Sequence, residues 1–97
     1  MIPVVLLRAA QADLRQAARF YEEETAGLGA DFLAEMARSF SRLEANPEIG
    51  APLRRGARKL VIRRFPYLII YRLEEHRVLV LAVGHQRRHP DFWLGRV

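Results

Sequence analysis

Six consecutive apolar residues, from Val78 to Val83, place the strongest constraint on how this chain folds. A strand with one solvent-facing side alternates apolar and polar residues, whereas an unbroken apolar run needs cover on both faces. A chain of 97 residues has enough apolar sequence for one compact core and no more. We therefore predict a single domain over residues 1–97, with a strand at about 77–84 in the interior of a sheet.

Three further segments have the composition of strands. Each is rich in Val, Ile, Leu or Tyr, and each is bounded by polar or turn-forming residues. Leu60 and Ile62 alternate with Lys59 and Arg63, as expected where one face of a strand is exposed. Short turns join the segments at about 57–63 and 67–73 to each other and to the buried strand at about 77–84, which predicts a three-stranded antiparallel meander. The predicted strands cover about 2–8, 57–63 and 67–73, with a loop rich in Pro and Gly at 47–56.

Two helices are predicted between the first strand and the meander. Apolar residues recur at three- and four-residue spacings over about 10–26, and again over a stretch that ends at Asn46. Gly27 suits the end of the first helix, Leu28-Gly29 form the joint, and Pro47 forbids continuation of the second helix. So short a joint folds the helices into an antiparallel hairpin. The hairpin has to cover one face of the sheet, which predicts a two-layered α+β fold.

Charge is divided unequally along the chain. Residues 1–50 contain five Arg and eight Asp or Glu, a net charge of −3, whereas residues 51–97 contain eleven Arg or Lys and three Asp or Glu, a net charge of +8. Ten of those eleven cations are Arg, which is suited to bidentate contact with phosphate or carboxylate. The second half is therefore predicted to meet nucleic acid, a nucleic-acid-bound machine or an acidic protein. A basic surface that only favours solubility is the alternative.

Several classes of site are not expected. The absence of cysteine excludes disulfides, thiolate metal sites and cysteine nucleophiles, and it fits a cytoplasmic location. The apolar start, residues 2–7, is too short to span a bilayer and lacks the flanking features of a signal peptide. His85 and His89 have the spacing of a helical metal site, but Pro90 argues against a helix there. We expect no metal, no cofactor, no small-molecule substrate and no membrane association.

Five segments, taken in order, carry a resemblance to a known family. They are Ala9 to Leu14 with Ala18 to Glu22, Gly27 to Leu33, the set Leu43, Pro47 and Gly50, Arg64 to Tyr71, and Val83 to Trp93. Together they resemble the RelE/ParE superfamily of toxins from type II toxin–antitoxin systems, and they span nearly the whole chain.

The resemblance implies a fold, a partner and one of two activities. The fold is a strand, a helical hairpin and a three-stranded antiparallel meander. The partner is a cognate antitoxin whose segment folds on binding. RelE-like members cut mRNA on the ribosome, using Lys and Arg at the developing charge and a Tyr or another proton carrier. ParE-like members do no such chemistry and inhibit DNA gyrase by binding it.

Most positions of the RelE-like catalytic set differ in this chain. Lys59 matches one of two alternating lysines, but Val61 stands at the other position. Leu68 stands where an Arg is expected, and Gln86 and Phe92 stand where an Arg and a Tyr are expected. Phe92 has no ionisable proton and cannot act as an acid. The sequence therefore favours a ParE-like gyrase inhibitor of a plasmid stabilisation system, and leaves enzymatic activity open.

Two alternatives remain at this point. A ribosome-dependent mRNA endonuclease would use His85, Arg87, Arg88 and Arg64, if the basic end folds back onto the sheet and the alignment shifts by one residue. A non-toxic, basic nucleic-acid-binding module would use charge alone. Without catalysis, the candidates for contact with a target or an antitoxin are Arg58, Lys59, Arg63, Arg64, Arg87, Arg88, Phe92 and Trp93. Of these, Phe92 and Trp93 resemble a docking element, although such an aromatic pair more often pins the end of a chain to the core.

Overall fold

The computed structural model describes residues 1–96; Val97, at the end of the predicted basic and aromatic segment, lies outside that range. It confirms the α+β class, with two helices and a mixed sheet. Two short 3₁₀ turns, Arg54–Gly56 and Leu94–Arg96, complete the structure. In chain order the elements are β1 (Val4–Leu6), α1 (Arg8–Glu24), α2 (Leu28–Ala45), β2 (Ala51–Pro52), β3 (Ala57–Val61), β4 (Tyr67–Leu73) and β5 (Val78–His85).

The sheet has the order β1-β5-β4-β3-β2. Strand β1 pairs with β5 in parallel, and every other neighbouring pair is antiparallel. Strand β5 therefore lies between β1 and β4, and seven of its eight residues are buried. This is the interior position that its unbroken apolar run predicts.

The helical hairpin is confirmed, but its joint differs from the prediction. Gly27 has a left-handed backbone, with φ 87°, and it stands at the start of α2. Leu28 and Gly29, predicted to form the joint, belong to α2 instead. A side chain at position 29 would place its Cβ 2.6 Å from the carbonyl oxygen of Ala18, so glycine allows the two helices to pack closely at this point.

The segment predicted as a loop, 47–56, contains an additional short strand. Ala51 and Pro52 pair with β3 and make the sheet five-stranded rather than four-stranded. Proline lacks a backbone donor, so it is tolerated here because β2 forms the edge of the sheet. A two-residue strand has no periodicity, which is why the sequence pattern did not indicate it.

The two faces of the sheet are covered by different parts of the chain. Phe32, Met36 and Leu43 of α2 pack on one face against buried residues of β3, β4 and β5. The other face is covered by residues 86–96, which we call the aromatic strap. Trp93 of the strap is 1% exposed and packs with Ile70 and Leu81, among others.

Two contacts fix the aromatic strap against the end of β5. The Phe92 ring lies on Gly84, where a Cβ would come within 2.5 Å of the ring, so a larger residue at position 84 would displace the ring. Arg96 donates hydrogen bonds to both carboxylate oxygens of Asp13 in α1 and to the Leu81 carbonyl oxygen. Asp13 also accepts a hydrogen bond from the Val83 backbone N–H at 3.0 Å. The Asp13–Arg96 pair therefore joins α1, β5 and the strap.

Replacement of Asp13 by Ala should lower the free energy of unfolding by about 3 kcal/mol, since it leaves a largely shielded guanidinium without its partner. The side chains of Asp13 and Arg96 are 10% and 21% exposed. Urea denaturation followed by circular dichroism measures the change. The matched control is Asp31→Ala, which removes an ion pair whose two side chains are half exposed, and which should cost less than about 1 kcal/mol. Equal losses in the two variants would contradict the role given to the pair.

Tyr71→Phe should destabilise the protein by about 1–3 kcal/mol, because it leaves a buried N–H without an acceptor. The Tyr71 hydroxyl accepts a hydrogen bond from the Gly50 N–H at 2.9 Å and donates one to the Pro47 carbonyl oxygen at 2.7 Å. Thermal unfolding of Tyr71→Phe is compared with that of Tyr21→Phe, because the Tyr21 ring packs against Phe65 and its hydroxyl forms no hydrogen bond within residues 1–96. A Tyr71→Phe protein as stable as the control would show that the hydroxyl contributes nothing.

Candidate functional site

A cleft of about 380 Å³ opens on the face of the sheet opposite the helices, between β3, β4 and the aromatic strap. Its floor is apolar and its rim is cationic. We call it the strap cleft. Its lining residues are Leu53, Lys59, Leu68, Ile70, His85, Gln86, Arg87, Arg88, Pro90 and Phe92.

The pleating of β3 and β4, and the turn that follows β5, determine where these side chains lie. Leu68 and Ile70 are two residues apart on β4 and share a face, and Lys59 pairs directly with Ile70 in the register of β3 and β4. Beyond β5 the chain turns sharply, with the Arg88 N–H donating to the His85 carbonyl oxygen at 3.0 Å. Both arginine side chains of this turn are exposed, and both line the cleft.

Arg88 connects the strap cleft to a second, smaller cleft on the helix side of β5. Its guanidinium carbon lies 4.3 Å from the centroid of the Phe92 ring, within the range of a cation–π contact. The second cleft, of about 260 Å³, is lined by Arg88 and His85 together with residues of α1. One of these, Phe20, is 54% exposed, so an aromatic ring is available to a partner beside the two polar residues.

His85 has a defined orientation at the end of β5. Its Nδ1 accepts a hydrogen bond from the Arg87 N–H at 3.0 Å, so a neutral ring carries its proton on Nε2. The ring packs edge to face on Tyr67, with centroids 5.4 Å apart. Burial raises the pKa of Tyr67 above its usual value, and the nearby Arg88 cation opposes this shift. The phenol therefore stays protonated at neutral pH, beside an imidazole and a guanidinium.

Four of the eight predicted contact residues lie together in the strap cleft: Lys59, Arg87, Arg88 and Phe92. Trp93 belongs to the core beneath the strap, and its Nε1–H donates to the Pro90 carbonyl oxygen at 2.9 Å. Contact between Trp93 and a partner would require the strap to leave the sheet.

The remaining three predicted arginines lie elsewhere. Arg58 donates to the carbonyl oxygens of Glu48 and Gly50, at 3.0 and 2.9 Å, and holds the loop before β2. Arg64 pairs with Asp31 at 3.0 Å, on the side of α2, and so does not join His85, Arg87 and Arg88. Arg63 lines a separate cavity against α2. The cations predicted between residues 58 and 64 are thus divided between two faces of the molecule.

Sequence reasoning did not identify Asp13 or Arg96 as residues that shape the site. They are 83 positions apart, and neither lies in a pattern that marks it as special. Within residues 1–96, no group of three or more His, Asp or Glu side chains is placed to hold a metal ion. In the same residues neither helix combines the length and the apolar character needed to cross a bilayer.

Comparisons with known proteins agree with this fold. A structure titled "Chromosomal ParDE TA system from P. aeruginosa" is 22% identical, with 88% of this chain and 96% of that chain covered and a TM-score of 0.72. The toxin–antitoxin complex RelBE2 from Mycobacterium tuberculosis is 28% identical, with 87% and 90% covered and a TM-score of 0.62. A comparison with curated proteins gives no match.

The family itself is shown by a sequence profile rather than by these structures. The profile described as "ParE toxin of type II toxin-antitoxin system, parDE" matches residues 4–90, which include both helices and all five strands. The chain therefore belongs to the ParE toxin family of type II toxin–antitoxin systems.

Proposed function

We propose that this chain is a toxin that inhibits DNA gyrase by binding it, and that a cognate antitoxin neutralises it. In this proposal the protein acts in the cytoplasm, as part of a plasmid stabilisation system. The family match supports the toxin, and the two solved structures compared above are toxin–antitoxin systems.

The composition of the strap cleft carries the proposal of inhibition through protein binding. Three exposed cations, Lys59, Arg87 and Arg88, surround an apolar floor that includes Leu68 and Ile70. Protein interfaces combine a desolvated apolar centre with a polar rim, and arginine is enriched among the residues that dominate their binding energy. A surface with acidic residues around an apolar projection would match this cleft in both charge and polarity.

The backbone around the two arginines is held before any partner arrives. The Gln86 N–H donates to the Pro66 carbonyl oxygen at 2.8 Å, and the turn at Arg88 closes on His85. Little backbone entropy is then lost on binding, which favours affinity.

A second candidate function is that of a ribosome-dependent mRNA endonuclease. His85 and Arg88 line the same two clefts, so an imidazole lies near a cation suited to a phosphate. Arg64, the fourth residue of this hypothesis, instead pairs with Asp31.

The double variant Arg87→Ala/Arg88→Ala should inhibit gyrase supercoiling at least about tenfold less than the unaltered protein, since it removes two residues of the kind that dominate interfaces. Growth arrest on controlled expression in a bacterium should weaken in parallel. The matched control is Arg15→Ala/Arg19→Ala, which removes two exposed arginines from α1 and should leave inhibition unchanged.

His85→Gln separates the two candidate functions, provided that its thermal unfolding shows an intact fold. If the protein acts by inhibiting gyrase, the His85→Gln variant stays toxic, and growth arrest is accompanied by a DNA damage response while mRNA remains intact. If the protein acts by cleaving mRNA, the His85→Gln variant loses toxicity, and the unaltered protein cuts mRNA within translated codons. Absence of arrest by the unaltered protein would remove the toxin proposal altogether.

A further inference from the structure

A second cationic site lies on the helix side of the molecule, across the sheet from the strap cleft. It is a cavity of about 410 Å³ lined by Glu35, Arg38, Ser41 and Arg42 of α2 and by Arg63 of the loop between β3 and β4. We call it the α2 basic pocket. None of its residues lines the strap cleft or the cleft beside α1.

The helical period gathers the α2 residues along one line. Glu35, Arg38 and Arg42 follow at spacings of three and four, and therefore lie above one another on the helix. Each of them is followed directly by a buried residue of the same helix, and these buried residues are Met36, Ser39 and Leu43. The polar stripe consequently runs along the edge of the buried face, where α2 meets the β3–β4 loop.

Arg63 approaches this stripe from a loop whose backbone is fixed. Its neighbours Ile62 and Phe65 are buried, and the Arg63 carbonyl oxygen accepts a hydrogen bond from the Phe65 N–H at 2.8 Å. The next residue, Arg64, pairs with Asp31 in the first turn of α2 at 3.0 Å. These contacts hold the loop against the helix and so hold Arg63 at the pocket.

The pocket carries an excess of positive charge. Glu35 accepts two hydrogen bonds from Arg38, at 2.8 and 3.2 Å, so these two charges neutralise each other. Arg42 and Arg63 form no ion pair within residues 1–96, which leaves two unpaired cations in a pocket that Ser41 also lines. The end of α2 favours a cation at position 42 through the helix dipole, but that effect does not account for Arg63.

We propose that the α2 basic pocket binds a phosphate group, such as that of a nucleic-acid backbone or of a phosphorylated small molecule. A carboxylate has two oxygens in one plane, which a single guanidinium satisfies, whereas phosphate oxygens point in several directions. Here donors come from α2 on one side, including the Ser41 hydroxyl, and from the β3–β4 loop on the other. This site is additional to the strap cleft, and the inference does not depend on which target the toxin has.

The test uses the purified full chain and a short fluorescein-labelled single-stranded oligonucleotide, with binding followed by fluorescence anisotropy over a range of salt concentrations. The variant Arg42→Gln/Arg63→Gln should bind about tenfold more weakly, and the slope of log affinity against log salt should fall by about 1.4, as expected for two lost phosphate contacts. Arg15→Gln/Arg19→Gln makes the same change in net charge on α1 and should alter affinity much less. Thermal unfolding verifies that both variants are folded.

Inorganic phosphate is the second probe, observed through the Nε–Hε NMR signals of Arg42 and Arg63. Site-dependent binding of the oligonucleotide supports a nucleic-acid ligand, and shifts with phosphate alone support a small phosphorylated ligand. The proposal is overturned if neither probe binds, if both double variants weaken binding equally, or if polyglutamate binds at the site as tightly as the oligonucleotide. Because gyrase is absent from these assays, their failure is distinct from failure of the proposed toxin activity.

Discussion

Strand β5 is buried on both faces, and the arrangement of the helices and of the aromatic strap follows from that burial. Seven of its eight residues are shielded, and one layer of helices shields only one side of a sheet. The helical hairpin covers that side, and the aromatic strap covers the other with Trp93 at its centre. The strap is therefore part of the core, and the residues that emerge from it are held by the same packing that buries the strand.

The short length of β1 decides where the two clefts form. Pairing between β1 and β5 ends at Val80, so the following part of β5 has an uncovered edge. Asp13 and Arg96 occupy this edge by bonding the Val83 N–H and the Leu81 carbonyl oxygen, which satisfies backbone groups that a longer β1 would have paired. His85, at the end of β5, and Arg88, near the start of the strap, lie beyond this pair and line both clefts.

The uneven charge of the two halves explains one cationic surface but not the other. The strap cleft takes all its cations from the basic second half of the chain. The α2 basic pocket takes two arginines from the acidic first half and adds Arg63 from the second. The net charge of a segment predicts an anionic partner. It does not predict which cations lie together on the surface, because that depends on which segments the fold brings together.

The elements and the class of fold could be predicted from the sequence, because the period of apolar residues is a local property. That period indicated the helical hairpin and the meander, and the unbroken apolar run indicated the interior place of β5. The sequence did not indicate β2, which is too short to have a period, or the start of α2 at Leu28. It also did not show that Lys59 would join Arg87 and Arg88 while Arg63 and Arg64 would turn toward α2. These groupings depend on the folded chain, because strand register and the Asp13–Arg96 pair join residues that are far apart in sequence.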